Sequence, residues 1–296
     1  MSSVKGVHRG RREYFYLVQT YRWEGRVRKK QVYLGTSVPE DLRALRSRLE
    51  REVWNETWFR QFDVIRERYL RRQQSIPSSV ETKEREDFVV EFTYDTNRIE
   101  GSTLSMEDTR RLLSRAIAPA GKPLSDILET QKHAALLRRL IASPEPVDLP
   151  HILRWHKELF SETKPDIAGR LRDYEVSIRG SRHVPPPPLE VRPMLIELLR
   201  SINRAKEATH PVQSSGEFHF RFEHIHPFGD GNGRIGRLAM NLLLAGSGFP
   251  MLNISYNRRR GYYRALEAAS VVGESRPFLH WFFLRFSKEN RFYLRK

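Results

Sequence analysis

Apolar and polar residues alternate between residues 13 and 34. Tyr14, Tyr16, Val18, Thr20 and Arg22 share one side of an extended run. A Glu24-Gly25 turn follows, and Val27 to Leu34 returns as a second strand, so a β-hairpin is predicted. From Pro39 to about Gln73 the period changes. Leu42, Leu45, Leu49, Val53, Phe59, Phe62 and Ile65 recur mostly three or four apart, as on one face of a long helix. The Ser-Ile-Pro-Ser-Ser stretch at 75–79 reads as a linker. The chain thus divides into a hairpin module (1–37), a long helix with linker (38–80) and a main domain (81–290). Helices are predicted there over 81–98, from an N-cap at Ser105, and over 124–142, 149–163, 189–208, 214–225, 232–246, 260–272 and 276–290. The exception is Tyr174–Pro188. There Val176 and Ile178 alternate, Gly180-Ser181 turns and Val184 returns until four prolines stop the strand, a short hairpin on a mainly α fold.

Composition narrows the class. With 39% hydrophobic and 11% aromatic residues in a 296-residue chain, a real core is expected. No apolar run approaches the length of a membrane span, and the N-terminus does not resemble a signal peptide. The lack of cysteine excludes disulfides and thiolate metal sites; a soluble cytoplasmic protein is expected. Charge adds one feature. Of the formal +16, residues 1–35 supply +7. That hairpin is basic and aromatic, loosely like the DNA-contacting arms of integrases and transposases, so nucleic acid is a candidate partner for it. The same aromatics serve equally to cover the following helix.

The densest chemistry lies in His226-Pro-Phe-Gly-Asp-Gly-Asn-Gly-Arg-Ile-Gly-Arg237. Gly231 and Gly233 let the backbone turn and approach a ligand, and the free N–H groups of the helix starting there form an anion pocket. Arg234 and Arg237, three apart, share a face away from the apolar stripe and suit phosphate. Asp230 beside such a pocket makes sense as a ligand for Mg²⁺. His226 can take a proton near pH 7, and Phe228 reads as a core anchor. The bland reading is a turn and helix cap with a satisfied surface histidine. It explains each residue singly but not the conjunction.

The segment matches His-x-Phe-x-Asp/Glu-Gly-Asn-Gly/Lys-Arg-x-x-Arg at every defined position, and so resembles the Fic family. The resemblance implies that His226 is the base for a target hydroxyl, that Asp230 binds Mg²⁺, and that Gly231, Asn232, Gly233, Arg234 and Arg237 hold the phosphates of ATP. Glycine at 233, where the phosphorylating Doc branch has lysine, implies AMP transfer. Tyr174–Pro188 resembles the family's flap, with Val176, Ile178, Arg179, His183 and Val184 lining up a target segment by strand addition. Tyr262, Tyr263 and Glu267 resemble the adenine and ribose side, although a family asparagine is replaced by Ser270. Thr96-Asn-Arg-Ile-Glu100-Gly101 resembles the family's inhibitory motif. There Glu100 would occupy Arg237 and hold ATP in an unproductive pose; the bland alternative is a helix end with a glycine cap.

The expected function is therefore an autoinhibited protein adenylyltransferase acting on a Ser, Thr or Tyr hydroxyl. Its rivals are a phosphotransferase or de-AMPylase on the same fold, and a DNA-binding regulator that only senses nucleotide. A hydrolytic metal site from His219, His224, His226 and Asp230 is the most distant rival. The long helix and the aromatic tail at Phe278, Trp281, Phe282 and Phe283 fit either a core or a homodimer.

Overall fold

The structure, a computed structural model, describes residues 2–23, 25–204 and 209–295. The chain divides into two compact units, Met1–Ile65 and Arg66–Lys296.

In the first unit the predicted hairpin is two-thirds of a three-stranded antiparallel sheet, β1 (Ser2–Arg9), β2 (Arg12–Trp23) and β3 (Arg26–Gly35), in the order β1-β2-β3. β1 escaped the pattern because its two valines, Val4 and Val7, do not alternate. Gly25 has φ +75°; its predicted turn partner Glu24 lies outside the described residues. The helix begins at Arg43 rather than Pro39 and is interrupted: α1 (Arg43–Trp54) runs through a π turn at Asn55–Phe59 into α2 (Arg60–Ser75). The Thr57 hydroxyl donates to the Val53 carbonyl at 2.7 Å within this stretch, the kind of side-chain competition that accompanies such turns. Leu17, Leu49, Val53, Phe59 and Phe62 form the buried core of the unit.

The division falls inside α2, ten residues before the linker expected at 75–79. From Arg66 onward the side chains of α2 engage the second unit. Arg66 lies over the Phe249 ring, Tyr69 packs edge-on to Tyr293, and Arg72 forms a bidentate pair with Glu84. Only Ile76 and Pro77 of the 75–79 stretch break the helices, before α3 (Ser78–Ile99).

The second unit is helical. After α3 come α4 (Met106–Arg115), α5 (Leu124–Ala142), α6 (Leu149–Phe160), α7 (Pro188–Arg204), α8 (Pro211–Ile225), α9 (Asn232–Gly246), α10 (Arg259–Val272) and α11 (Arg276–Glu289). Ser105 caps α4 through a complete capping box with Asp108. The predicted end of α7 at 205–208 lies outside the described residues. Phe92, Leu137, Trp155, Leu195, Phe222 and Leu238 join one core around α9, which is buried from Asn232 through Leu242. A helix buried all round places its polar residues against protein rather than solvent. Phe278, Phe282 and Phe283 of the aromatic tail are fully buried in α11. No helix among the described residues is long and apolar enough to cross a membrane.

Residues 174–188 do not form the predicted hairpin. Gly180 turns at φ +78°, and Ser181 N–H bonds to Ile178 O at 3.1 Å, but no strand ladder forms. Pro185–Pro188 lack the N–H groups that a return strand needs. The segment is an extended limb on each side of a turn.

Gly216 marks where α8 meets α11. A Cβ there would stand 2.7 Å from Phe282 Cδ1 and 2.9 Å from Leu279 Cδ2. Gly216→Val should therefore lower unfolding stability by about 1–3 kcal/mol through overpacking. Urea denaturation checks this, and unchanged stability would refute the close approach.

Candidate functional site

The site is built where α8 ends and α9 begins. His226 stops α8 in the left-handed conformation (φ +50°), its N–H bonded to Phe222 O. Phe228 is fully buried and stacks on His156 at 3.8 Å between ring centroids. Asn232 closes the intervening loop with its own side chain. Its Oδ1 accepts from Phe228 N–H at 2.8 Å, and its Nδ2 donates to Phe228 O at 2.9 Å. The amide expected to meet phosphate is thus spent on loop geometry. Gly231 has φ +78°, and any Cβ would strike the Phe160 ring at 2.3 Å.

The N–H groups of Asn232, Gly233 and Arg234 have no intrahelical acceptor, as at any helix start. Glu100 lies beside Gly233: a Cβ added there would be 2.1 Å from Glu100 Oε1. The same Oε1 accepts from Arg237 Nη2 at 2.7 Å. A carboxylate therefore stands beside Gly233 in the first turn of α9 while ion-paired to that helix's second arginine. Arg237 also donates to Thr96 Oγ1 at 2.8 Å and to Thr96 O at 3.2 Å, and its guanidinium faces the Tyr262 ring. Glu100's charge stabilises the guanidinium and raises its pKa although burial opposes this.

The arginines do not share an open face. Arg234 is 5% exposed, paired with Glu129 and 3.4 Å from Asp230 Oδ1, with its guanidinium over Phe160. Arg237 is 1% exposed beneath the 25% exposed Glu100. Both are buried because α9 is enclosed on all sides and each has found a carboxylate. Arg237 lies directly under a surface group; Arg234 lies inside a network.

That network includes residues that periodicity did not single out. Lys164 Nζ bridges Glu129 Oε1 (2.8 Å) and Asp230 Oδ2 (2.7 Å). Asp230 already holds a cation, and these neighbours pull its pKa down against burial. Among the described residues no group of three or more His, Cys, Asp or Glu can hold a metal. One partly exposed carboxylate nevertheless fits Mg²⁺, which commonly takes one or two carboxylates and completes its shell with phosphates and water. The four-residue hydrolytic site does not assemble: His219 bonds to Tyr262 OH at 2.8 Å, and His224 stacks on His183.

His156 braces the loop from α6. Its Nδ1 accepts from Gly169 N–H at 2.9 Å, so Nε2 carries the proton and donates to Asp230 O at 3.0 Å. Arg172, 4% exposed, donates from Nε to His226 O at 2.8 Å. Its other nitrogens reach Tyr174 O (3.1 Å) and Pro186 O (2.6 Å), tying both limbs of the 174–188 segment to the histidine's backbone. Glu267 accepts from the Ser181 hydroxyl and from Arg182 N–H, so it clamps the turn of that segment. Tyr262 is buried, whereas Tyr263 is 46% exposed and donates to Ile99 O at 2.9 Å. Val184 is 76% exposed, Val176 and Ile178 are half-buried, and Arg179 is exposed in the turn itself. His183 instead bonds through Nε2 to His224 O at 2.8 Å.

Burial holds His226 below the ordinary imidazole range, hence neutral at pH 7, and Glu100's charge partly offsets that shift. Its Nδ1 faces Glu223 O at 3.4 Å, which leaves Nε2 as the proton-accepting nitrogen. Burial pushes the Glu223 carboxyl up to about 8, so it adds no full charge beside Arg237 at neutral pH.

The fold and site define a helical domain with a glycine-bounded helix start, a histidine before it and a carboxylate beside its first turn. A model of the Fic/DOC family matches residues 146–244. Protein adenylyltransferase Fic of Nematostella vectensis is 32% identical over 193 residues, 64% of this chain and 44% of that protein. The Aedes aegypti protein of the same name is 33% identical over 198 residues, covering 65% and 39%. The chain spans less than half the length of these relatives. Among solved structures, Fic-1 from C. elegans superposes with a TM-score of 0.72 at 26% identity, covering 86% of this chain and 75% of that one. A Fic family protein from Desulfovibrio desulfuricans gives 0.68 at 25% identity, covering 80% and 73%.

Burial depresses His133 and His219 to about 3, and His156 and His224 to about 4. A histidine with a depressed folded pKa stabilises above its unfolded value near 6.5, and that stability drains as pH falls toward the folded value. Each contributes a slope of up to about 1.4 kcal/mol per pH unit; Glu223, shifted upward, opposes them with one such slope. Urea unfolding should show stability falling from pH 6 to pH 5, and His133→Leu should flatten that fall by one histidine's share. An unaltered slope would mean that His133 is not buried neutral.

Proposed function

We propose that this protein transfers AMP from ATP to a Ser, Thr or Tyr hydroxyl of a target protein, and that Glu100 restrains the reaction. The reading rests above all on Glu100, whose carboxylate stands beside Gly233 in the first turn of α9 while bonded to Arg237. A site that holds one anion in this way can hold another. The likeness to proteins named protein adenylyltransferase Fic supports the choice of reaction.

In this mechanism Nε2 of His226 takes the proton from the target hydroxyl. The freed oxygen forms a bond to the α-phosphorus of ATP, and the bond from that phosphorus to the bridging oxygen breaks. Pyrophosphate leaves with the electron pair. The N–H groups of Gly233 and Arg234, with Arg237 once Glu100 has moved, stabilise the negative oxygens. Asp230 would hold Mg²⁺, which when bound neutralises phosphate charge. Arg234, enclosed by Glu129 and Phe160, keeps Asp230 and the loop in place, while Asn232 fixes the turn. Tyr263, half-exposed beside the brake, is the better placed of the two tyrosines to meet a nucleoside; Tyr262 lines the core behind Arg237. Val176, Ile178, Arg179, His183 and Val184 lie on the segment that would offer unpaired backbone to an extended target peptide. A cytoplasmic setting, expected from the sequence, belongs to the same reading.

The test separates brake from engine. With α-labelled ATP and Mg²⁺, Glu100→Gly should raise incorporation into protein roughly ten- to a hundredfold, the scale of one charge-assisted bond. The His226→Ala change added to it should abolish the signal. Incorporation from γ-labelled ATP instead would replace AMP transfer by phosphorylation. Label unchanged by Glu100→Gly would remove the brake.

A further inference from the structure

The N-terminal sheet has one covered face and one open face. Odd-numbered residues of β2 meet the helix: Leu17 is buried, Tyr21 OH donates to Glu56 at 2.9 Å, and Trp23 packs edge-on to Trp58. Lys30 pairs with Glu56 on that side at 2.7 Å. Even-numbered residues point the other way. Across the strands, directly opposed residues share a face, which sets Lys5, Tyr16 and Tyr33 in one row. Tyr33 is 53% exposed, and its ring lies 5.3 Å from Tyr16 and 6.3 Å from Tyr14. Further along the same face, Lys29 opposes Thr20, and Arg22 follows one row on. Lys5, Arg22 and Lys29 are exposed and form no ion pair among the described residues. Val18 is the buried residue between them.

Charge is segregated in the same sense. Residues 1–35 carry +7, whereas 36–65, which supply the helix behind the sheet, carry −1. The Fic-type site accounts for none of these features.

We propose that this open face binds single-stranded nucleic acid. The three tyrosines would form a platform for unpaired bases, and Lys5, Lys29 and Arg22 a track for the phosphates. From the tyrosine row to Arg22 the track runs about 20 Å at the rise of a strand. An exposed Tyr33 ring beside the half-buried Tyr14 and Tyr16, bordered by unpaired cations, is what a strand with free base faces can use. Bases already stacked inside a duplex cannot use the rings, and a polyanion without bases can use only the cations.

Fluorescence anisotropy of the full chain with labelled 15-mers of RNA and DNA tests this, with a blunt duplex and heparin as competitors. Both single strands should bind, losing affinity steeply with salt, and a preference for RNA or DNA would identify which source the face takes. Tyr33→Leu should weaken single-strand binding about fivefold or more with the salt slope unchanged, while Tyr33→Phe retains it. Lys29→Ala should instead reduce the log–log salt slope by about 0.7. Duplex binding of equal strength, indifferent to Tyr33→Leu, would overturn the proposal in favour of a duplex reader. Heparin binding with no tyrosine effect on any strand, or no binding at all, would also overturn it.

Discussion

One carboxylate beside the first turn of one buried helix organises the site at the head of α9. Arg237 is buried, and a buried guanidinium without a partner costs several kcal/mol. Glu100 supplies the opposite charge, and it does so from the surface. Thr96 gives the same guanidinium a hydroxyl and a carbonyl, while Tyr262 gives it a ring. With those retained, losing Glu100 does not leave Arg237 unsatisfied: it leaves Arg237 uncompensated in charge and newly reachable. That combination draws in an anion. On the proposed reading, this contact would be a brake released by whatever outcompetes a single carboxylate, with no large refolding.

Everything below that contact is devoted to rigidity. Asn232 ties the loop to itself, His156 ties it to α6, and Arg172 ties the His226 backbone to the 174–188 segment. The Glu129–Arg234–Asp230–Lys164 network then fixes the start of α9 from the opposite side. Lys164 stands where a divalent cation would compete for Asp230, so a metal bound there shares or displaces an ammonium group already in place. Charge balance at Asp230 is thereby kept whether or not a metal is present, and the loop geometry does not have to be created by binding.

The parts of this arrangement that were legible in the sequence are the local ones. Residues 226–237 carry their glycines, histidine and arginines within twelve positions, so chain geometry alone forces them together, and the helix after Asn232 begins where its apolar stripe begins. The fate of Arg234 was not legible, because Glu129 lies 105 residues away and nothing in the spacing of either announces the pair. His156 reads as one more residue on an amphipathic helix, and its loop-bracing role appears only when Gly169 and Asp230 arrive from elsewhere. Glu267, which the resemblance places on the ribose side, accepts from the Ser181 hydroxyl across 86 residues, a contact that no spacing announces. β1 was missed for another reason: an edge strand with charged and small residues carries little alternation, and its pairing is stabilised by β2 rather than by its own pattern.

The 174–188 segment shows how such non-local ties bear on the proposed chemistry. It forms no strand ladder, and part of its backbone is already bonded to Arg172, Glu267 and the Ser181 turn. The prolines that prevent a hairpin also prevent the segment from pairing with itself. Arg172 bonds both limbs and the carbonyl of His226 with one guanidinium. A peptide added to this segment would therefore be registered against the backbone that carries the base, whatever its side chains. Selectivity for a target would then come from surfaces outside the segment, and the segment itself would set only how far a hydroxyl stands from Nε2.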